Sequence, residues 1–222
     1  MKTLKIIKFA ASWIITLLLP MMIVFSIVRG LMTPVFPAIE YNMPGFPDDP
    51  YGFTREERLR WARLSTQYLL NATDIRFFEP YSLEDGAPLY NDRELSHMDD
   101  VKILVQQGLR VWLITGLLFM LAVLFLFITK DFISLKLGLR NGGFFTMGII
   151  AAILLSVAID FNTLFTWFHK LFFIGESWIF YYSDTFIRLF PIRFWMDCFI
   201  YIGVLSLLLA ITAVRLPGKW IK

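Results

Sequence analysis

Cysteine is almost absent from this 222-residue chain. Cys198 stands alone, so no internal disulfide can staple an exported segment. Charge is also scarce. Charged residues make up 18% of the sequence, against roughly a quarter in soluble domains, while apolar residues reach 57%. That leaves too little polar surface to cover a water-soluble globule, which excludes an ordinary soluble enzyme and equally a disordered chain. No glycine-rich phosphate loop, no Gly-x-Ser-x-Gly elbow and no His-Glu-x-x-His pair is present. Nucleotide phosphate binding, serine hydrolysis and zinc proteolysis therefore have no motif to rest on. What the chain does have is aromatic and apolar: 23 Phe, 8 Tyr and 7 Trp, with a mean hydropathy of +0.63. It reads as an integral membrane protein.

Four apolar stretches, 9–28, 111–129, 143–159 and 194–214, each approach the ~20 residues needed to cross ~30 Å of hydrocarbon. Pro20 inside the first is tolerable in a membrane helix and is expected to kink it. Lys2, Lys5 and Lys8 precede a run too long for a signal peptide, with no small-residue cleavage site after it, so the first stretch reads as an uncleaved anchor. Lysine and arginine then set the orientation. Lys2, Lys5, Lys8, Lys130, Lys136, Arg140, Arg215, Lys219 and Lys222 flank one set of span ends, with Asp131 the single acid among them. Residues 33–100 hold thirteen acids, six arginines and no lysine, a net charge of −7. Both termini are expected in the cytoplasm and the two longer connections outside.

The expected fold class is thus all-α: a four-helix transmembrane bundle with a small extracytoplasmic domain of mixed helix and loop. Its expected segments are a cytoplasmic N-terminus and first span (1–32), the extracytoplasmic domain (33–107) and a second span (108–129). A cytoplasmic loop (130–142), a third span (143–165), an aromatic outer interfacial loop (166–193), a fourth span (194–214) and a cytoplasmic tail (215–222) follow. The first third of the exported domain carries Pro34, Pro37, Pro44, Pro47 and Pro50 and should be extended and turn-rich. Thr54-Arg55-Glu56-Glu57 is a capping-box pattern, predicting an amphipathic helix over 54–70. Residues 77–89, broken by Pro80, Gly86 and Pro88, read as loop or short strand, and Asn91-Asp92-Arg93-Glu94 reads as the start of a helix running into the second span. Segment 166–193 is almost half aromatic, a composition suited to the headgroup belt. It should lie along the outer membrane surface with a short in-plane helix, either anchoring the chain or forming a wall against lipid tails.

The two histidines, His97 and His169, both fall on the outward side, and histidine is the default proton-transfer group near neutrality. On a helix Glu94, His97 and Asp100 are three residues apart, so either carboxylate could hold the imidazole by its second nitrogen. Height is an obstacle. A straight helix puts His97 ~18 Å above the hydrocarbon edge and His169 only ~8 Å. The pair can meet only if the second span tilts or breaks near Gly108, or if the segment after Phe165 rises. Two histidines with Asp99 or Asp100 could hold zinc, but nothing resembles a tight ligand cluster, and no metal is expected. Cys198 fits a small core residue better than a nucleophile. Asp160 and Asp197, near the outer ends of spans three and four, are functional candidates by position, though such groups often meet only water or an arginine.

The run Arg93-Glu94-Leu95-Ser96-His97-Met98-Asp99-Asp100-Val101-Lys102, with its Glu-x-x-His-Met-x-Asp-Val pattern, enters span two, and His169 follows span three. With four spans and a long first outer loop, the whole chain resembles the lipoprotein intramolecular transacylase family of Gram-positive bacteria. The resemblance implies an acyltransferase that moves the sn-2 acyl chain of a diacylglyceryl-modified lipoprotein onto the α-amine of its N-terminal cysteine, leaving a lyso-form lipoprotein. The family's two essential histidines fall on His97 and His169. Partners would be diacylglyceryl lipoproteins and membrane lipid, with no nucleic acid, no cofactor and a monomeric enzyme. Arg93, Arg188 and Tyr181 are the groups that could stabilise an oxyanion or contact substrate. Two other classes stay open: an outward-facing lipid or lipoprotein hydrolase, which chelator sensitivity would expose if it used a metal, and a non-catalytic membrane assembly subunit, which would tolerate loss of both histidines.

Overall fold

The computed structural model describes residues 2–220. It is helical throughout its regular parts: α1 (Lys2–Leu31), α2 (Val35–Glu40), α3 (Arg55–Leu70), α4 (Asp92–Ile128), α5 (Phe132–Phe172), α6 (Thr185–Leu189) and α7 (Ile192–Trp220). Ile75–Phe78 adds one 3-10 turn, and Ser82 and Pro88 form an isolated antiparallel bridge. Four helices, Lys2–Leu31, Asp92–Ile128, Phe132–Phe172 and Ile192–Arg215, are long and apolar enough to cross a membrane. Lys222 and the side chain of Lys219 lie outside the described residues. The chain divides into two compact units, one made of Met1–Arg29, Leu109–Ile159 and Phe199–Lys222, the other of Gly30–Gly108 and Asp160–Cys198.

In the first unit, α1 passes through Pro20 without ending, and its Ile15 packs with Ala122 and Leu126 of α4 and Leu135 of α5. Most large apolar side chains here point outward, among them Leu117, Phe127 and Ile133, as lipid-facing residues do. Between apolar helices in lipid there is little hydrophobic drive to associate, so close approach and buried hydrogen bonds must hold them. Both are present. Gly138 and Gly142, a Gly-x-x-x-Gly pair on α5, lie against α1: a Cβ on Gly138 would meet the Ser12 carbonyl at 2.8 Å, and one on Gly142 would meet Leu19 Cβ at 2.9 Å. The Ser12 hydroxyl donates to the Ser134 carbonyl at 2.8 Å and the Thr16 hydroxyl to the Gly138 carbonyl at 3.2 Å. Gly143 takes α7 in the same way, its missing Cβ making room for Ala210 and Val214.

Residues 130–142, expected as a loop, are helical from Phe132 onward. The reversal between α4 and α5 needs only a tight turn at Thr129–Asp131, with Lys130 at φ 53°. Asp131 then caps α5, its carboxylate accepting the Ser134 N–H at 3.1 Å, so basic Lys136 and Arg140 sit on a helix that starts well before the apolar stretch.

In the second unit, the proline-rich start is not wholly extended. Val35–Glu40 is helical because Pro34 and Pro37 occupy its cap and first turn, where a missing N–H costs nothing. Thr54 and Glu57 form the reciprocal capping box at the head of α3. From α3, Tyr68 packs against Phe78 (ring centroids 4.9 Å) and donates its hydroxyl to Asp99 at 3.0 Å, while Ser65 and the Tyr90 hydroxyl share a 2.6 Å bond. Arg58 is buried with its guanidinium over the rings of Tyr41 and Phe46. These contacts fix α3 beside the first turns of α4.

The α5 helix breaks at Asp160, which has φ −159° and ψ 94°. Its carboxylate accepts both the backbone N–H (3.1 Å) and the hydroxyl (2.6 Å) of Thr163, so Asp160 caps a restarted helix that runs to Phe172. The start of the outer segment expected at 166–193 is therefore helical, and α6 is the short helix within the remainder. Substituting Gly138→Leu should lower the unfolding midpoint in detergent by the equivalent of about 1–3 kcal/mol, through a forced separation of α1 and α5. Gly148→Ala, at a helical position with open space, serves as the control and should not lower it. An unaltered midpoint in Gly138→Leu would contradict this packing.

Candidate active site

His97 lies in the second turn of α4 and His169 in the last turn of α5, both within the second unit. Their rings face each other with centroids 6.0 Å apart and planes 25° apart. The rings meet although α4 runs unbroken past Gly108, and the stretch of α5 that carries His169 is the one restarted after Asp160. Both rings lie outside the apolar stretches of their helices, and both are buried, at 2% and 8% exposure.

The enclosure is aromatic. Phe173, Phe180 and Phe186 meet the His97 ring edge-on at 5.0, 5.3 and 5.5 Å, and Phe165 and Trp178 lie 4.2 and 4.9 Å from the His169 ring. Burial in such a box disfavours charge on an imidazole. Burial, and secondarily the neighbouring His169, push the His97 ring down to about 4. Burial lowers His169 as well, against the opposing pull of the Phe165 carbonyl. Near neutral pH the site holds two uncharged imidazoles.

The Phe165 carbonyl also selects a tautomer. It lies 2.8 Å from His169 Nδ1, and a carbonyl can only accept, so Nδ1 carries the proton and Nε2 presents a bare lone pair. His97 Nδ1, by contrast, is buried and has no hydrogen-bond partner. One ring is oriented by the helix that bears it; the other is held by packing.

Neither carboxylate expected to orient His97 does so. Glu94 accepts the Phe186 N–H at 2.6 Å with one oxygen and the Asn91 N–H at 2.8 Å with the other, while Asp100 accepts the Ser177 hydroxyl at 3.1 Å. The i, i+3 spacing is right, but Glu94 is taken by two backbone N–H groups and Asp100 by a serine hydroxyl. Burial pushes the Glu94 carboxyl up to about 7, with the Asn91 and Phe186 N–H groups opposing. The acidic face of α4 thus holds the aromatic segment over His97 instead of holding His97 itself.

Arg93 continues that arrangement. It pairs with Asp184 at 2.8 Å and lies over the Tyr181 ring at 4.7 Å, with Nε buried and unpartnered. Asp184 in turn accepts from the Asn91 amide and the Tyr181 N–H. Arg188 is committed elsewhere: it donates to Asp49 through Nε and one terminal nitrogen (3.1 and 2.9 Å) and sits 3.5 Å from the Phe53 ring centre. None of these partners is a histidine. Asp184 and Ser177 were missed in the sequence because each acts on α4 from 77 or more residues away. Asp197 pairs with Arg193 one turn earlier, and Cys198, a half-buried free thiol, follows it in α7. Among the described residues no group of three or more His, Cys, Asp or Glu side chains could hold a metal ion.

The sequence model of a family described as lipoprotein intramolecular transacylase Lit matches residues 12–195. An uncharacterised protein of Aquifex aeolicus (strain VF5) is 30% identical over 172 residues, covering 78% of this chain and 76% of its own. Among solved structures, the membrane-integral lipoprotein intramolecular transacylase of Bacillus cereus has a similar fold, with a TM-score of 0.71 and 23% identity over 97% of this chain and 95% of that one. A variant of the same enzyme with a histidine replaced by alanine gives a TM-score of 0.68 and 22% identity, over 98% and 93% of the two chains.

If Glu94 holds the aromatic segment, Glu94→Ala should leave two buried backbone N–H groups unpaired at a cost of about 1–3 kcal/mol each. The expected outcome is faster hydrogen exchange at the Phe186 amide and a lower unfolding midpoint, with helix content unchanged. Unaltered protection across α6 would refute the tie.

Proposed function

The chain belongs to the lipoprotein intramolecular transacylase family, and from that premise we propose that it transfers the sn-2 acyl chain of a diacylglyceryl-modified lipoprotein to the α-amine of the same lipoprotein's N-terminal cysteine. The observation that carries this reading is the facing pair of buried, uncharged imidazoles, one with its Nδ1 proton fixed on a carbonyl.

His169 is the base in this proposal. The amine nitrogen attacks the sn-2 ester carbon, and an N–H proton passes to His169 Nε2 as the C–N bond forms. The tetrahedral oxyanion collapses, the C–O bond breaks, and the sn-2 oxygen leaves with the proton returned by the imidazolium. An amide and a free sn-2 hydroxyl result, with no water consumed. Donor and acceptor belong to one molecule, so their proximity is supplied by the substrate and no acyl-enzyme is needed. The serine of the wall, Ser177, is committed as a donor to Asp100. His97 lies where it can assist from across the ring pair, donating to the developing oxyanion or to the leaving oxygen. Arg93 is the remaining cation of the arrangement, and its ion pair with Asp184 makes it a holder of the wall first and a substrate contact second.

Rings this buried are reached only if part of the aromatic segment yields. Ile174, fully exposed beside Gly175 at φ 80°, is the natural place for it to do so. The same exposed apolar groups, with Trp167, Leu171 and Tyr182, suit contact with acyl chains. The basic residues at one set of helix ends and the net acidity of 33–100 support cytoplasmic termini and an outward-facing site. One chain supplies both histidines, so a monomer suffices.

Replacing His97 or His169 with Ala should reduce formation of the N-acyl lyso-form by about 10²–10⁴-fold, read by mass spectrometry of lipoprotein N-termini, while the protein stays in the membrane. Full activity in either variant would sink the mechanism. The pH profile is a second test. Burial holds His97 down at about 4 and moves His169 below the ordinary histidine value, so neither ring is expected to give an inflection at or above that value. Above the ordinary histidine value of about 6.5 the rate should therefore rise with a single inflection, that of a substrate amine near 7.7–8.0. A second inflection near the ordinary histidine value would mean a solvated ring and a different site.

A further inference from the structure

The first unit contains a cleft of about 480 Å³ between α1 and the N-terminal turns of α5, none of whose lining residues belongs to the unit that carries the histidines. Its character changes from end to end. Lys5, Lys8 and Asp131 make one end polar and Phe9, Trp13 and Leu137 make the middle apolar, while Asn141 lies at the far end, beside Gly142 and level with Thr16 and Leu19. Ser12 and Thr16, bonded to the Ser134 and Gly138 carbonyls, close the floor.

The charges there are unequal. Asp131 is already engaged twice, by the Ser134 N–H that it caps and by Lys8 at 3.5 Å. Two lysines against one aspartate leave a net charge of +1, and it resides on Lys5, which makes no ion pair among the described residues. The Asn141 amide and the Trp13 indole N–H likewise donate to no described residue. Three donors of one cleft are thus free, beside rings of Phe9 and Trp13 that stay about half exposed or more and lie edge to face at 6.2 Å. Free donors next to exposed aromatic rings at the end of a membrane helix match a ligand with an anionic head and an apolar body.

We propose that this cleft binds an anionic phospholipid, its phosphate at Lys5 and its glycerol and upper acyl chain along Phe9, Trp13 and Leu137 toward Asn141. A free phosphate would use the lysines but has no use for the aromatic end, which favours the lipid. Bound across α1 and α5, the lipid would link the same two helices that Gly138 and Gly142 bring together.

The test uses the full chain in mild detergent, titrated with phosphatidylglycerol, with phosphatidylcholine or with inorganic phosphate, and read by native mass spectrometry. Phosphatidylglycerol should give a one-to-one adduct that Lys5→Gln weakens by about fivefold, the contribution of one basic side chain at an anionic lipid surface, and Lys5→Glu by more. Trp13→Ala should weaken it independently. Lys5 is exposed, so the Gln variant keeps its fold, as an unchanged unfolding midpoint should verify. The proposal fails if phosphatidylcholine binds equally well, if neither Lys5 variant alters the adduct, or if millimolar inorganic phosphate displaces it, the last outcome identifying a soluble phosphate site instead.

Discussion

Two imidazoles kept uncharged in an apolar enclosure are the constraint on which the second unit depends. An imidazole in water is half protonated near its ordinary pKa and exchanges its tautomer freely. Here the rings of Phe165, Phe173, Phe180, Phe186 and Trp178 exclude water, and the Phe165 carbonyl holds the Nδ1 proton of His169. The enclosure cannot hold itself, because a segment so rich in exposed aromatic groups has few contacts of its own. It is fastened by the polar face of α4: Glu94 to the Phe186 N–H, Asp100 to Ser177, Arg93 and Asn91 to Asp184. A purely apolar face would bury His97 as well but would leave the segment without a fixed register.

The acids beside His97 therefore differ in role from the aspartate of a Ser-His-Asp triad, which holds a ring and stabilises its charged form. No carboxylate stabilises an imidazolium here. Such a site favours a brief, internally balanced proton transfer, in which the proton taken from the amine is returned to the leaving oxygen. A reaction that begins and ends neutral and brings its own nucleophile suits that environment.

Much of this was legible in the sequence where the determinant is local. Thr54 with Glu57 and Asn91 with Glu94 announce helix starts within four residues, and the apolar stretches announce the spans. The two histidines stood out because the chain has no others. What stayed hidden depends on partners far along the chain. Glu94 sits at the right spacing to hold His97, yet its oxygen is taken by a backbone N–H 92 residues away. The length of α5 was hidden for another reason: hydropathy sees the apolar stretch, whereas the helix is set by its caps, Asp131 at its start and Asp160 at its break. Asp160 looked like a candidate for chemistry and proves to be the residue that lets the helix restart and deliver His169. The Gly138 and Gly142 pair, where α5 lies close against α1, drew no attention in the sequence because its role depends on a helix more than a hundred residues earlier.

The most direct test of this account is a nitrogen-15 NMR titration of the imidazole rings in the purified, tag-free protein, where only two histidines contribute. The account predicts that neither ring titrates at the ordinary histidine value of about 6.5, both protonating only below it and His97 the later of the two, near pH 4. It also predicts that His169 shows a protonated Nδ1 and a bare Nε2. A ring that titrates near the ordinary histidine value, or a His169 spectrum with the proton on Nε2, would contradict it.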